Sequence, residues 1–238
     1  MPVAIDKNLV QYYPLGDSAV VVQLKNEISE EVNQQIRAIS NWLDEYTFEG
    51  FVEYVPAFTN ITIYYQPWIL NYDEIVLLLK EMIEQVGEIE EEATPTVVTI
   101  PVWYGASTGP DLEFVASYHN FSIEALIMLH SQPEYIVYMI GFAPGFPYLG
   151  GMDEGISTPR KESPRQKVPK GSVGIGGNQT GIYPIETPGG WQIIGQTPLN
   201  LFDIKKENPS LLKAGDRVRF MSISEKEFME LKSDEDGY

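Results

Sequence analysis

"IGFAPGFPYLGG", Ile140–Gly151, is the stretch on which the reading of this chain turns. It holds four glycines, two prolines, three aromatics and no charge. The run before it, "YIVYMI" (Tyr135–Ile140), has the pattern of a buried strand. Pro144 and Pro147 bar a helix, and the glycines permit sharp turns and close approach of backbone. From Gly141 to Leu201 helical periodicity is absent. Short β-rich runs follow instead: "GSVGI", "TGIYPI", "GWQIIG" and "LNLFD". Short strands at close spacing with turn residues between them point to a barrel or a sandwich, and Ile140–Gly151 reads as its entrance. "LLKAGDRVRF" then places a turn at Gly215-Asp216 before a strand through Val218 and Phe220. Ser224 with Glu227 caps a last short helix, and "SDEDGY" is expected to fray.

The first hundred residues have a different rhythm. "SAVVVQL" (Ser18–Leu24) is a strand. Ser29 caps a helix whose first turn holds Glu30 and Glu31, with Val32, Ile36, Ile39, Leu43 and Tyr46 on one face. "FVEYV" (Phe51–Val55) and "NITIYY" (Asn60–Tyr65) alternate as strands. Asn71 with Glu74 opens a second amphipathic helix through Ile75, Leu78, Met82 and Val86. Glu88–Glu92 is an acidic connection, and "TVVTIPVW" (Thr96–Trp103) is another strand. The order βαββαβ predicts a ferredoxin-like split βαβ arrangement, so the fold class is α+β. Two short helices, "DLEFVASYHN" and "SIEALIMLHS", precede Tyr135, the second capped by Ser122.

The chain has 238 residues, no cysteine and a net charge of -18. Without cysteine there are no disulfides, thiolate nucleophiles or zinc–thiolate sites. The charge is uneven: 4 basic and 23 acidic residues precede Arg160, against 12 and 11 from there on. Such a surface repels nucleic acid and anionic membrane, so neither is an expected partner. No apolar run is long enough to span a bilayer, and the first 25 residues lack the apolar core of a secretory signal. A cytoplasmic protein is expected.

The basic residues cluster. Arg160, Lys161, Arg165, Lys167 and Lys170 fall within eleven residues, spaced by Pro159, Pro164 and Pro169. Arginines on a stiffened, extended loop suit bidentate capture of carboxylate or phosphate, and a solvated loop has the same composition. "GSVGIGGNQTGIYP" (Gly171–Pro184) follows, with Gln179, Thr180 and Tyr183 among five glycines. It is neither a Walker A loop nor a Rossmann fingerprint, and its glycines serve either ligand approach or tight turns. In "TPGGWQIIGQTP" (Thr187–Pro198), Trp191 can wall a pocket or fill a core, and Gln192 or Gln196 can hydrogen-bond a ligand. His119 and His130 lie too far apart for a metal-ligand pair, and no metal site is expected. No Gly-x-Ser-x-Gly elbow is present, so no nucleophilic triad is indicated. Phe142, Phe146 and Tyr148 line a cleft or a partner surface near the Arg160–Lys170 loop, with His130, Trp191 and Gln196 as further candidates. On that reading Phe146→Ala weakens assembly more than folding.

The ordered strings "GFAPGFPYLG", "PR…PR", "VPKGSVGIGGNQTGIYP" and "PGGWQIIGQTPLNLFD", with "YGASTGPDLEFVA" before them, resemble the family of the kinase A inhibitor and the 5-oxoprolinase B subunit. The same family is also labelled allophanate hydrolase subunit 1. The resemblance implies an N-terminal α/β domain, residues 1–93, and a C-terminal cyclophilin-like β-barrel domain, residues 94–238. It implies the B subunit of an ATP-dependent 5-oxoprolinase, inactive alone, which with the A and C subunits opens 5-oxoproline to L-glutamate. ATP with Mg would then belong to the complex, with no cofactor assigned to this chain and the catalytic residues unknown. Arg160, Arg165 and Lys167 would meet phosphate, and Gln179, Thr180 and Tyr183 a developing oxyanion. Its alternatives are inhibition of autophosphorylation of a sporulation-type histidine kinase and, more remotely, a urea amidolyase-related role. Gln196 departs from the family, which commonly has Arg there.

Overall fold

The computed structural model describes residues 5–86, 97–105 and 107–236. The chain divides into two compact units, Met1–Thr94 and Pro95–Tyr238. The acidic connection Glu88–Glu92 and the expected boundary between 93 and 94 lie outside the described residues.

The first unit runs β1 (Gln11–Pro14), β2 (Ala19–Gln23), α1 (Glu30–Glu45), β3 (Phe51–Pro56), β4 (Asn60–Tyr65) and α2 (Tyr72–Val86). Its sheet is antiparallel throughout, in the order β1-β2-β4-β3. Alternation buries Val20, Val22, Ile61, Ile63 and Tyr65 against Val32, Ile36, Ile39 and Leu43 of α1. The Ser29 hydroxyl accepts from the Val32 amide at 3.3 Å and starts α1. Asn71 and Glu74 exchange a capping box: the Asn71 amide donates to Glu74 Oε2 at 2.8 Å, and the Glu74 amide to Asn71 Oδ1 at 3.1 Å. Two details differ from the sequence expectation. Leu79, not Leu78, takes the deep position on α2, and Tyr46 caps α1 on the exposed side. The larger difference is topological. The outer strand beside β2 is β1, which precedes it, and the segment through Thr96–Trp103 belongs to the second unit.

There, β5 (Val97–Tyr104), α3 (Leu112–Tyr118), α4 (Ile123–Ser131), β6 (Glu134–Ile140), β7 (Pro147–Gly150), a 3-10 turn (Glu154–Ile156), β8 (Arg165–Val168), β9 (Ser172–Gly176), β10 (Gln179–Ile182), β11 (Thr187–Gly189), β12 (Gln192–Gln196), β13 (Arg217–Ser222) and α5 (Glu225–Asp236) follow. Seven strands close a barrel in the order β10-β7-β6-β13-β5-β12-β9. Closure depends on one parallel pair, β5 with β13, in register from Arg217↔Val97 to Ser222↔Val102. Such a pair needs a long crossover, which is why the sequentially first and last strands of this unit are neighbours. β8 and β11 form a separate two-stranded ribbon. "LNLFD" forms no strand and makes only the bridge Phe202↔Ser210.

Ile140–Gly151 is therefore a hairpin inside the barrel rather than its entrance. β6 turns into β7 with Ile140 opposite Pro147. The Gly141 amide donates to the Phe146 carbonyl at 3.0 Å. Gly145 sits at φ +79, where a Cβ would lie 2.8 Å from the Phe202 side chain.

Among the described residues, a thread of hydrogen bonds crosses the largely apolar barrel interior. Thr180 Oγ1 donates to the Gly174 carbonyl at 2.9 Å, so it accepts from His130 Nε2 at 2.8 Å. Nδ1 of the same ring then accepts from the Tyr104 hydroxyl at 2.8 Å. His130 stacks on Phe220 with centroids 4.6 Å apart and is fully buried. Each proton in this thread has a place only if the imidazole is neutral. Burial accordingly pushes the His130 pKa down to about 3.

The sign of the pH dependence follows. Unfolded His130 takes up a proton near pH 6.5, and the folded ring does not until about pH 3. Its contribution is whole above pH 6.5 and declines below it by about 1.4 kcal/mol per pH unit. Urea unfolding between pH 7 and pH 4 should give a shallower decline for His130→Gln than for the native chain. Equal slopes would place the titrating group elsewhere.

Candidate functional site

The outer surface of the barrel carries an aromatic cleft. Phe146 precedes β7, Tyr148 lies on it, Tyr183 follows β10 and Trp191 precedes β12. These strands adjoin one another or β9, so the four rings gather outside the barrel wall. Phe146 is the hub: its centroid lies 4.9 Å from Tyr148, 5.2 Å from Tyr183 and 5.5 Å from both Trp191 and Phe142. Most of these contacts are edge-to-face, the arrangement ring quadrupoles favour. Gly181 lets the rings approach, since a Cβ there would stand 3.0 Å from Trp191 and 3.2 Å from Phe146.

The cleft encloses about 250 Å³ and is walled by Phe142, Tyr148, Arg160, Pro164, Tyr183, Pro188, Gly189, Gly190 and Trp191 over Phe146. Phe142 is 64% exposed and holds φ +68, a conformation that non-glycine residues seldom adopt. The Arg160 guanidinium carbon lies 5.7 Å from the Trp191 ring centroid. Burial raises the Tyr148 and Tyr183 phenols, and the Arg160 charge opposes that rise in each. Both are protonated donors at neutral pH. The cleft thus offers an apolar slot, the Tyr148 phenol and one exposed cation over the buried Tyr183, with no nucleophile and no carboxylate or imidazole base among its walls.

One carboxylate positions the far wall. Asp111, at the start of α3, is 4% exposed. Its Oδ1 accepts from Arg165 Nη2 at 2.7 Å and from Lys161 Nζ at 3.2 Å, and its Oδ2 from the Ile193 amide at 2.6 Å. Burial alone would raise its pKa, but hydrogen bonds from Arg165 and the Ile193 amide, the Arg165 charge and the Lys161 hydrogen bond hold it below the usual range. Sequence reasoning missed this residue, because an acid directly before a helix reads as an N-cap. Here the side chain makes no cap bond.

The expected site residues separate into two groups. Phe142, Phe146, Tyr148, Arg160, Tyr183 and Trp191 come together in the cleft. The others do not join them. Arg165 turns to Asp111, and Lys167 pairs in the open with Glu186 at 3.0 Å. Gln179 is half-buried opposite Gly176 on the β9–β10 pair. Thr180 and His130 face the barrel interior, because alternation along β10 turns Thr180 inward and Gly181 outward. They are parts of the core thread and do not line the cleft. Gln196 Nε2 donates to the Lys170 carbonyl at 2.6 Å. Phe146 is 2% exposed, so it supports the cleft and cannot itself plug into a partner.

Phe146→Ala should therefore lower folding stability by about 3–5 kcal/mol, the ordinary result of removing a buried aromatic. Denaturant midpoints test this. Asp111→Asn should cost about 2 kcal/mol by unpairing Arg165 and Lys161, with a matching loss of the Trp191 fluorescence environment.

The profile of the family described as "Carboxyltransferase domain, subdomain C and D" matches residues 10–212. A protein of Bacillus subtilis (strain 168), named as the B subunit of 5-oxoprolinase, is 45% identical over 234 residues, covering 94% of this chain and 97% of that one. A conserved uncharacterised protein of Pyrococcus horikoshii, known from its crystal structure, is 46% identical with TM-score 0.55, covering 92% of this chain and 100% of that one. The K. lactis urea amidolyase superposes with TM-score 0.77 at 21% identity, covering 99% of this chain and 16% of that one, a likeness of fold. Matched over most of its length by both the profile and full-length relatives, the chain belongs to the family of carboxyltransferase domains, subdomain C and D.

Proposed function

We propose that this chain is the B subunit of an ATP-dependent 5-oxoprolinase and acts only with its partners, the A and C subunits. The observation that carries the reading is the 45% identity to a protein so named, over nearly the full length of both. The cleft supports its dependence on partners. ATP-dependent opening of the lactam phosphorylates the amide oxygen with release of ADP. Water attacks the activated carbon, and the ring nitrogen leaves as the amine to give γ-glutamyl phosphate. A second water hydrolyses that acyl phosphate to glutamate and phosphate. An apolar slot with the protonated Tyr148 phenol and one arginine supplies binding and positioning for that sequence but no base. ATP with its Mg ion, and the base for water, then come from the other subunits. Such a complex works where ATP is made available, in the cytoplasm.

The exposed Phe142 ring is the part of the cleft best suited to a partner subunit. It stands outside the packed hub, and the backbone holds it in place at positive φ.

Two outcomes are expected. Purified chain combined with the A and C subunits should release glutamate from 5-oxoproline and ATP, and omission of the chain should abolish release. Full activity from those two alone would overturn the reading. Phe142→Gly should leave thermal stability unchanged or raised by about 1 kcal/mol, because glycine accepts positive φ. It should weaken assembly at least tenfold by sedimentation or calorimetry.

A further inference from the structure

A second concavity, of about 520 Å³, shares Arg160 with the aromatic cleft. Phe114 and Tyr118, on one face of α3, form its apolar wall; they are 51% and 53% exposed, with ring centroids 6.0 Å apart. Arg160, Lys161 and Glu162 border it, and Gln192 lies in its floor. Lys161 is engaged by Asp111, while Arg160 has an exposed guanidinium. Glu162 is also exposed there, which favours a single negative charge on a ligand over two.

Gln192 is the telling residue. It is 4% exposed, and its Nε2 donates to the Pro159 carbonyl at 2.9 Å, next to Arg160. Its Oε1 is shielded from water and has no hydrogen-bond partner among the described residues. Buried acceptors are nearly always satisfied, and an unsatisfied one at the edge of a concavity is a place for a ligand's N–H. Admission of that group requires the Pro159–Ser163 segment, which belongs to no helix or strand, to move aside.

We propose that this concavity binds a small monocarboxylate bearing an amide N–H. The N–H donates to Gln192 Oε1, the carboxylate meets Arg160, and the hydrocarbon part rests on Phe114 and Tyr118. This rests on the 5-oxoprolinase reading and adds to it that this chain itself holds the substrate. In 5-oxoproline the N–H and the carboxylate are borne by adjacent ring atoms. The lactam carbonyl, the oxygen to be phosphorylated, stays free for the partner subunits.

The test is an NMR titration of the full chain with 5-oxoproline, N-methyl-5-oxoproline and 5-oxoprolinamide. 5-Oxoproline should produce saturable shifts at the Gln192 side-chain amide and the Phe114 and Tyr118 rings. The N-methyl analogue, which lacks the donor, and the amide, which lacks the carboxylate, should each bind at least tenfold more weakly. Gln192→Leu, near in volume and free of the unsatisfied acceptor, should fold and lose binding to a similar degree. Absence of saturable shifts at these residues at millimolar 5-oxoproline, or equal binding of the N-methyl analogue, overturns the proposal. The reconstituted reaction separates the two readings. Glutamate release that needs this chain, without binding at Gln192, overturns the site and leaves the subunit assignment standing.

Discussion

The Asp111 carboxylate is the interaction on which the functional face depends. It joins three pieces of chain that are far apart in sequence: Arg165 of the β8–β11 ribbon, Lys161 of the preceding loop and the Ile193 amide of β12. Beyond it the ribbon has its own short ladder, the packing of Val168 on the aromatic cluster and a long hydrogen bond from Arg165 to the Trp191 carbonyl. With it, Pro164, Pro188 and Gly189 stand opposite the rings, and Trp191 is held beside Ile193. A buried carboxylate is tolerated there because two cations and a backbone donor surround it. The basic cluster that looked like a ligand trap is in part the clamp that shapes the cleft, and Arg160 is the arginine it leaves exposed.

The barrel separates two kinds of chemistry by strand alternation. Inward, the wall is apolar around a neutral thread from Tyr104 through His130 and Thr180 to Gly174. Outward, the neighbouring positions carry the aromatic hub. Adjacent residues on β10 serve opposite sides, Thr180 the core and Gly181 the rings. A ligand on the outer face therefore meets no titrating group of the interior, which fits a chain that contributes binding and leaves acid–base chemistry to partners.

Much of the fold was legible locally. The capping pairs Ser29, Asn71–Glu74 and Ser224–Glu227 mark real helix starts, since each needs only residues within one turn. β2 and β4 were legible because their apolar residues are buried against the helices, and β3 because Phe51 and Tyr54 are partly buried against the same core. β1 was not, because at an edge it has four residues and mixed exposure. The assignment of Val97–Tyr104 failed for another reason. Its pattern marks it as a strand, but which sheet receives a strand depends on hydrogen bonds to β12 and β13, roughly a hundred residues later. Within the site, bulky aromatics and the exposed arginine were recognisable by type. Asp111 was not, because its importance lies in partners gained only on folding, and Gln192 was recognisable as a hydrogen-bonding type but not as a buried acceptor lacking a partner.

The sequence by itself determined where the capped helices begin, the change from helical to strand texture, the family, and the residue types able to build a cleft. Caps, periodicity and ordered motifs are short-range properties, and one chain contains them in full. Only the tertiary structure decided that β1 completes the first sheet, that β5 pairs parallel with β13 to close the barrel, and that His130 and Thr180 face inward while Phe142 and Arg160 face solvent. These outcomes depend on long-range pairing and on which side of a strand is covered, and both are set when the barrel closes.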